Sequence, residues 1–167
     1  MVTVMSQIAS LYVVPDSAIP AICMTAMPQK AGWFSKPHDT FWQTLWDLAG
    51  KNCLDCDAPG SAFSVLIEYL SDRHVFDMRA CESSDFATFL SKARKSSFLT
   101  VSPAQAAELS SRLAVPFDAA DLTPFVIDFC GPEDHQDMVA AILEAAKALP
   151  HALEQVHSGT TGLITIG

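Results

Sequence analysis

Both ends of this 167-residue chain carry short apolar segments, and the segments between them repeat apolar residues at helical spacing. Residues 6–14 and 163–166 are each rich in Leu, Ile and Val, and each predicts a strand. Strands that accompany a series of helices are typical of the α+β class. We therefore predict a single domain over residues 1–167, in which several amphipathic helices pack on a small mixed or antiparallel sheet that includes the N- and C-terminal strands.

The segment from Thr40 to Gly50 has the clearest helical pattern near the N-terminus. Thr40 and Gln43 match a capping box, in which each side chain satisfies a backbone amide of the other residue. Gly50 supplies a left-handed stop at the other end. Trp42 and Trp46 lie beside the apolar stripe of this helix, and we predict that both are part of the core.

Ser102, Pro103 and Gln105 give a second helix start, because they combine a capping serine, proline at the first helical position and glutamine at the box position. This helix is predicted to end near Ala114, before Pro116. Further helices are predicted over residues 17–25, 63–70, 85–95 and 131–157, the last with a kink at Pro150. Further strands are predicted over residues 74–78, 98–101 and 125–129.

The last third of the chain is strongly acidic. From Val115 to Gly167 there are eight acidic residues and one base, Lys147, so this segment carries seven of the nine net negative charges. A surface of one sign repels nucleic acid and membrane phosphates and attracts basic partners. The predicted partner-binding residues are Asp118, Asp121, Asp128, Glu133, Asp134 and Asp137, with Trp33 as an aromatic anchor in a loop rich in glycine and proline.

A local explanation competes for part of this acidic set. Carboxylates in the first turn of a helix offset the positive end of its dipole, each by about 0.3–1 kcal/mol. Glu133, Asp134 and Asp137 fit that explanation, since they start the longest predicted helix. Asp118, Asp121 and Asp128 lie before that helix and have no such explanation in the sequence.

Composition predicts a cytoplasmic protein. No apolar run approaches the roughly 20 residues that a membrane span requires. The N-terminal apolar stretch has no Lys or Arg before it, which argues against a secretory signal. Five scattered cysteines favour free thiols in a reducing compartment over a disulfide framework.

Motifs with a defined chemistry are few. Cys53 and Cys56 have the spacing of half a zinc site or of a redox pair, and His74 or Cys81 could supply further ligands. Neither of those residues forms a second paired motif, so we interpret the cysteines as loop and core residues and predict no metal and no cofactor. Nucleophile elbows, phosphate-binding glycine loops and zinc-protease motifs do not occur in the sequence.

Several short motifs resemble the YfbM-like family of small bacterial proteins. They are the opening strand from Met5 with the helix after it, the tryptophan helix 41–50, the segment 97–105, and the last helix with the closing strand 163–167. The likeness covers most of the chain, although the family's tryptophan helix usually has a histidine where this chain has Trp46. The resemblance implies an α+β fold and supplies no catalytic residues. Relatives of such small proteins also occur as neighbours and inhibitors of bacterial toxins.

We therefore expect a non-catalytic protein-binding module, most concretely an immunity protein that neutralises a toxin through an acidic surface. Its partner would be a basic protein, and neither nucleic acid nor a membrane is expected to bind. The alternative is an enzyme or a small-molecule-binding protein whose polar pocket is assembled from residues distant in the sequence. A self-associating structural protein is a third reading.

Overall fold

The computed structural model describes residues 8–27, 39–133 and 135–167. Within these residues the chain has the predicted α+β architecture, in which helices pack on a three-stranded antiparallel sheet. Asp16–Ala18 forms a single 3₁₀ turn. The other elements are β1 (Ala9–Pro15), α1 (Ile19–Ala26), α2 (Phe41–Ala49), α3 (Gly60–Asp72), α4 (Met78–Glu82), α5 (Asp85–Arg94), β2 (Ser97–Val101), α6 (Pro103–Leu113), α7 (Ala119–Cys130), α8 (His135–Leu153) and β3 (Thr160–Ile166).

The C-terminal strand is the centre of the sheet, whose order is β1-β3-β2. Both neighbours pair with it antiparallel, so that Leu11 and Leu99 both lie opposite Ile164. Gly162 of β3 is required by close packing, because a Cβ atom there would lie 2.5 Å from Cγ2 of Val101 and 2.9 Å from Cγ2 of Val156. The two predicted terminal strands are confirmed over the described residues, and they are neighbours in the sheet.

The sheet separates two hydrophobic cores, because side chains along each strand alternate between its faces. The large core contains Leu11, Leu99 and Ile164 together with buried residues of α3, α4, α6, α7 and α8. The small core contains Val14, Phe98 and Leu163 with buried residues of α1, α2 and α5. Each face of the sheet is therefore covered by its own set of helices.

The predicted capping box at Ser102 is confirmed at the start of α6. The Gln105 amide nitrogen donates to Ser102 Oγ at 3.2 Å, and the Ser102 amide nitrogen donates to Gln105 Oε1 at 2.9 Å. Pro103 occupies the first helical position, where no amide hydrogen is needed. Local sequence chemistry alone sets this helix start.

The predicted capping box at Thr40 is wrong. The Phe41 amide donates instead to Oδ1 of Asp39 at 3.1 Å, and the Gln43 side chain donates to Asp47 at 2.7 Å. Asp39 also pairs with Arg94 of α5, whose guanidinium lies 4.7 Å from the centre of the Phe41 ring. A tertiary ion pair therefore holds the residue that caps α2.

The predicted burial of both tryptophans is also wrong. Phe41 and Leu45 are fully buried, whereas Trp42 is 45% exposed and Trp46 is 55% exposed. A nine-residue helix that lies on a sheet buries only a narrow stripe, and both tryptophans lie on its flank. Among the described residues, the helices that share the small core with α2 are α1 and α5, of eight and ten residues.

Two predicted strands are wrong. Residues 125–129 lie inside α7, which starts well before them because Asp118 caps its first turn. Residues 74–78 form a turn, with His74 at a φ of 54°, and run into α4, a short helix that the sequence pattern does not predict. Asp77 caps α4 by accepting from the Ala80 amide at 3.2 Å. In both places a side-chain cap decides the structure over β-propensity.

The longest helix, α8, is confirmed but ends at Leu153, earlier than predicted, and continues through Pro150. Shorter-range backbone bonds follow, such as that from the Val156 amide to the Leu153 carbonyl at 3.0 Å. They bury Val156 and turn the chain back toward β3. None of the helices in the described part of the chain is long and apolar enough to cross a membrane.

Candidate functional site

Helices α7 and α8 form a hairpin, and five of the six predicted acidic partner-binding residues lie on it or at its described connection and N-cap. Gly131 makes the turn possible, since its φ of 91° is one that other residues rarely adopt. The His135 ring nitrogen Nδ1 lies 2.8 Å from the Pro132 carbonyl oxygen and fastens the connection to the first turn of α8. We call this pair of helices the acidic hairpin.

Asp118 and Asp121 have a structural explanation that the sequence pattern does not give. Asp118 is the N-cap of α7, where its Oδ1 accepts from the Ala120 amide at 2.9 Å. Asp121 lies in the first turn of α7, where a carboxylate offsets the helix dipole. These two acids therefore stabilise α7, whatever else they contact.

Asp128, Glu133 and Asp137 are exposed around the connection of the hairpin. Asp128 lies in the last turn of α7, where the helix dipole disfavours a negative charge, so helix stability does not explain it. Asp137 lies in the first turn of α8, and Glu133 in the connection before it. The structure thus brings these three acids to one end of the hairpin, whereas Asp134 and Trp33 lie outside the described residues.

An exposed phenylalanine follows Asp128 in the last turn of α7. Phe129 is 55% exposed and stacks on Phe125 of the preceding turn, with ring centres 6.0 Å apart. Phe125 in turn meets the edge of Tyr69 at 5.2 Å, and Tyr69 meets Phe117 at 5.6 Å. Phe129 is therefore the exposed end of a row of aromatic rings anchored in the large core.

Phe129 escapes the sequence prediction because that prediction makes residues 125–129 a strand, in which Phe125 and Phe129 share a face but lie about 13 Å apart, too far to stack. The spacing of four residues between Phe125 and Phe129 is the signal that could have found it, since this spacing places two rings on one face of a helix. Burial, with a smaller contribution from the Asp121 charge, raises the pKa of Tyr69 in the same aromatic row.

A second exposed aromatic surface lies on the other side of the sheet. Trp42 stacks on Phe98 with ring centres 6.4 Å apart and meets Phe41 edge-on at 4.9 Å. Trp46 follows one turn later on the same flank of α2. No acidic residue from the predicted set belongs to α2, so the exposed tryptophans and the acidic hairpin are separate surfaces.

Cys53 and Cys56 belong to the loop between α2 and α3, which lies alongside β1. The Cys53 amide donates to the Leu11 carbonyl at 2.8 Å, and the Leu11 amide donates to Asn52 Oδ1 at 2.9 Å. Burial raises the pKa of the Cys56 thiol, whose sulfur lies 3.8 Å from a carboxylate oxygen of Glu144. Among the described residues no group of three His, Cys, Asp or Glu side chains is placed to hold a metal ion.

Described residues line several cavities. One, of about 450 Å³, is an open apolar groove between the end of α6 and the middle of α8. A polar cavity of about 310 Å³ lies between α3 and α4, and one of about 240 Å³ lies at the connection of the acidic hairpin. The described groups with displaced pKa values, none of which lines these cavities, are Cys23, Cys56, Tyr69, Cys81 and Glu82.

Comparison of the chain with protein-family models, with curated proteins and with solved structures found no match. The resemblance to the YfbM-like family therefore stays a prediction from short motifs.

Proposed function

We propose that this chain is a non-catalytic protein-binding module and that it binds a basic protein at the connection of the acidic hairpin. The observation that carries the proposal is exposed Phe129 in the last turn of α7, next to Asp128 and at the end of the hairpin where Glu133 and Asp137 are also exposed. Aromatic residues at the centre of an interface contribute much of its binding free energy. Charges around such a centre speed association and select partners of opposite sign.

The ring contacts that hold Phe129 in place favour its role as the apolar centre of an interface. Its ring is held by Phe125, which is itself held by Tyr69, so binding would cost little side-chain entropy. A basic partner would therefore meet a rigid apolar contact at the end of the hairpin that carries three exposed carboxylates.

The partner we propose is a bacterial toxin whose active cleft is basic, which makes the chain an immunity protein. Toxins that act on nucleic acids or nucleotides require cationic groups to hold phosphates. Carboxylates inserted into such a cleft would pair with those groups and block the substrate. The acidic surplus of the last third of the chain supports this class of partner.

The test starts from the purified chain as bait and measures association kinetics with the toxin it captures. Replacing Asp128, Glu133 and Asp137 together by Lys should slow association by about tenfold or more at low salt, and the difference should shrink as salt is raised. The control replaces Asp55, Asp57 and Asp72 by Lys, which changes the net charge equally at exposed positions outside the hairpin.

The Phe129→Ala substitution tests the apolar contact separately from the electrostatic attraction that speeds association. We expect faster dissociation with little change in the association rate, and a matching loss of toxin inhibition. Equal association rates for the hairpin triple variant and its control would contradict the proposal, as would a partner whose activity the chain does not inhibit.

A further inference from the structure

The open groove between α6 and α8 has an almost entirely apolar wall. The groove lies between the end of α6 and the middle of α8, and all of its lining side chains but one are apolar. Those residues are Leu113, Ala114, Pro116, Phe117, Leu143, Ala146, Lys147 and Pro150. Phe117 is fixed by its edge contact with Tyr69 at 5.6 Å, so this part of the wall is preformed. At about 450 Å³ the groove falls within the size range of small-molecule sites.

Lys147 is the one charged residue of the groove and the one base after Val115. Among the described residues no carboxylate lies within ion-pair distance of its ammonium group. The Lys147 ammonium therefore remains available to pair with a bound anion, in a region whose net charge otherwise repels anions.

One residue of the same wall, Ala146, has a backbone carbonyl without its usual helical donor. In a helix the carbonyl of Ala146 normally accepts from the amide of residue 150, but that residue is Pro150, which has no amide hydrogen. Leu143, Ala146, Lys147 and Pro150 follow one another at spacings of three, one and three residues and lie on one side of α8. The groove thus combines an ammonium donor, an acceptor without its helical partner and an apolar floor.

We propose that this groove binds a small amphipathic carboxylate of the N-acyl amino acid class. The acyl chain would lie on the apolar floor, the carboxylate would pair with Lys147, and the amide N–H would donate to the Ala146 carbonyl. A simple fatty acid lacks the N–H, and its carboxylate would meet the carbonyl oxygen unfavourably. A peptide would bring additional backbone groups that the apolar side chains leave unpaired, at a cost in free energy.

The experiment titrates isotope-labelled protein with N-decanoylglycine below its micelle concentration and follows backbone amide shifts by NMR. The amides of Ala114, Phe117, Leu143 and Lys147 should shift in a saturable way. Lys147→Gln should weaken binding about tenfold, whereas Lys51→Gln, at an exposed position in the loop after α2, should leave it unchanged. Ala114→Trp should abolish binding by filling the groove from an exposed position, with an unchanged circular dichroism spectrum.

Two ligand analogues test the polar contacts without altering the protein. The methyl ester of N-decanoylglycine loses the charge and should bind about tenfold more weakly, with no further loss in the Lys147→Gln variant. Decanoyloxyacetate replaces the N–H by an oxygen and should bind about three- to tenfold more weakly. Shifts that do not saturate, binding unaffected by Lys147→Gln, or equal affinity for the amide and its oxygen analogue would overturn the proposal.

Discussion

The two faces of the sheet are covered to different degrees. On the large-core face, α3, α6, α7 and α8 enclose residues such as Ile142 and Leu109, which are fully buried. On the small-core face, α1, α2 and α5 bury Phe41 and Leu45 but leave Trp46 more than half exposed. The helices of the second face are eight to ten residues long, whereas those of the first face reach nineteen. Short helices bury a stripe of residues and leave their flanks exposed.

This difference predicts that the large core carries more of the folding free energy. Ile142→Ala should reduce the free energy of unfolding by about 4 kcal/mol, near the upper end for such truncations, because packed helices surround the site and cannot collapse into the cavity. Leu45→Ala should cost about 2–3 kcal/mol, since a short helix on one face can move toward the sheet. Urea denaturation of both variants measures the two losses in the free energy of unfolding. Equal losses would contradict the larger contribution of the large core.

A second prediction concerns the central strand, from which both cores are built. Gly162→Ala should cost about 2 kcal/mol, because the new methyl group would overlap Val101 and Val156. Val101→Ala in the same chain should recover part of that loss by making room, which tests the steric cause directly. If the double variant is no more stable than the sum of the single losses predicts, the close approach to Val101 is not the reason for the glycine.

A third prediction uses the cysteines of the two faces. Burial raises the pKa of Cys81 in the large core to about 12, and burial raises the pKa of Cys23 on α1. The folded state therefore keeps the Cys81 proton at a pH where the unfolded chain, with an ordinary pKa of 9.0, has lost it. The stabilisation is complete below pH 9 and is lost as the pH rises toward 12, with a slope of at most about 1.4 kcal/mol per pH unit.

Denaturation of wild type and of Cys81→Ala between pH 7 and 10.5 measures this slope. The variant should lose stability less steeply above pH 9 than the wild type, although it starts from a lower value. If the free energies of unfolding of the two proteins fall in parallel as the pH rises, Cys81 is not the cause of the loss of stability. Thiol-labelling rates check the burial of the cysteines independently. Exposed Cys130 should react first and buried Cys81 last.

The smallest expected effects are those of the two exposed tryptophans. Trp42→Ala should cost about 1 kcal/mol, because Trp42 stacks on Phe98 and touches Phe41. Trp46→Ala should stay within about 0.5 kcal/mol of wild type, as expected for an exposed position. A large loss for Trp46→Ala in thermal unfolding would show that the small-core face is covered more completely than its helices indicate.

The acidic hairpin shows which part of a site the sequence can predict. The acidic surplus was visible as a count of charges, and the exposure of Asp128, Glu133 and Asp137 is confirmed. The role of Asp118 was not visible, because an N-cap is recognised only when the helix after it is recognised. The strand prediction at residues 125–129 hid that helix and, with it, the exposed stacking of Phe129.

By itself the sequence determined what depends on neighbouring residues. The capping box of Ser102 and Gln105, the stripe of α3 and the strands at both ends follow from local hydrogen bonding and apolar spacing. Only the tertiary structure decided which flanks are covered. Trp42 and Trp46 lie on an exposed flank of α2, whose helical partners in the described small core, α1 and α5, are short. Lys147 lines a groove because α6 ends opposite it. Burial depends on what packs from a distance, and apolar periodicity along one segment does not contain that information.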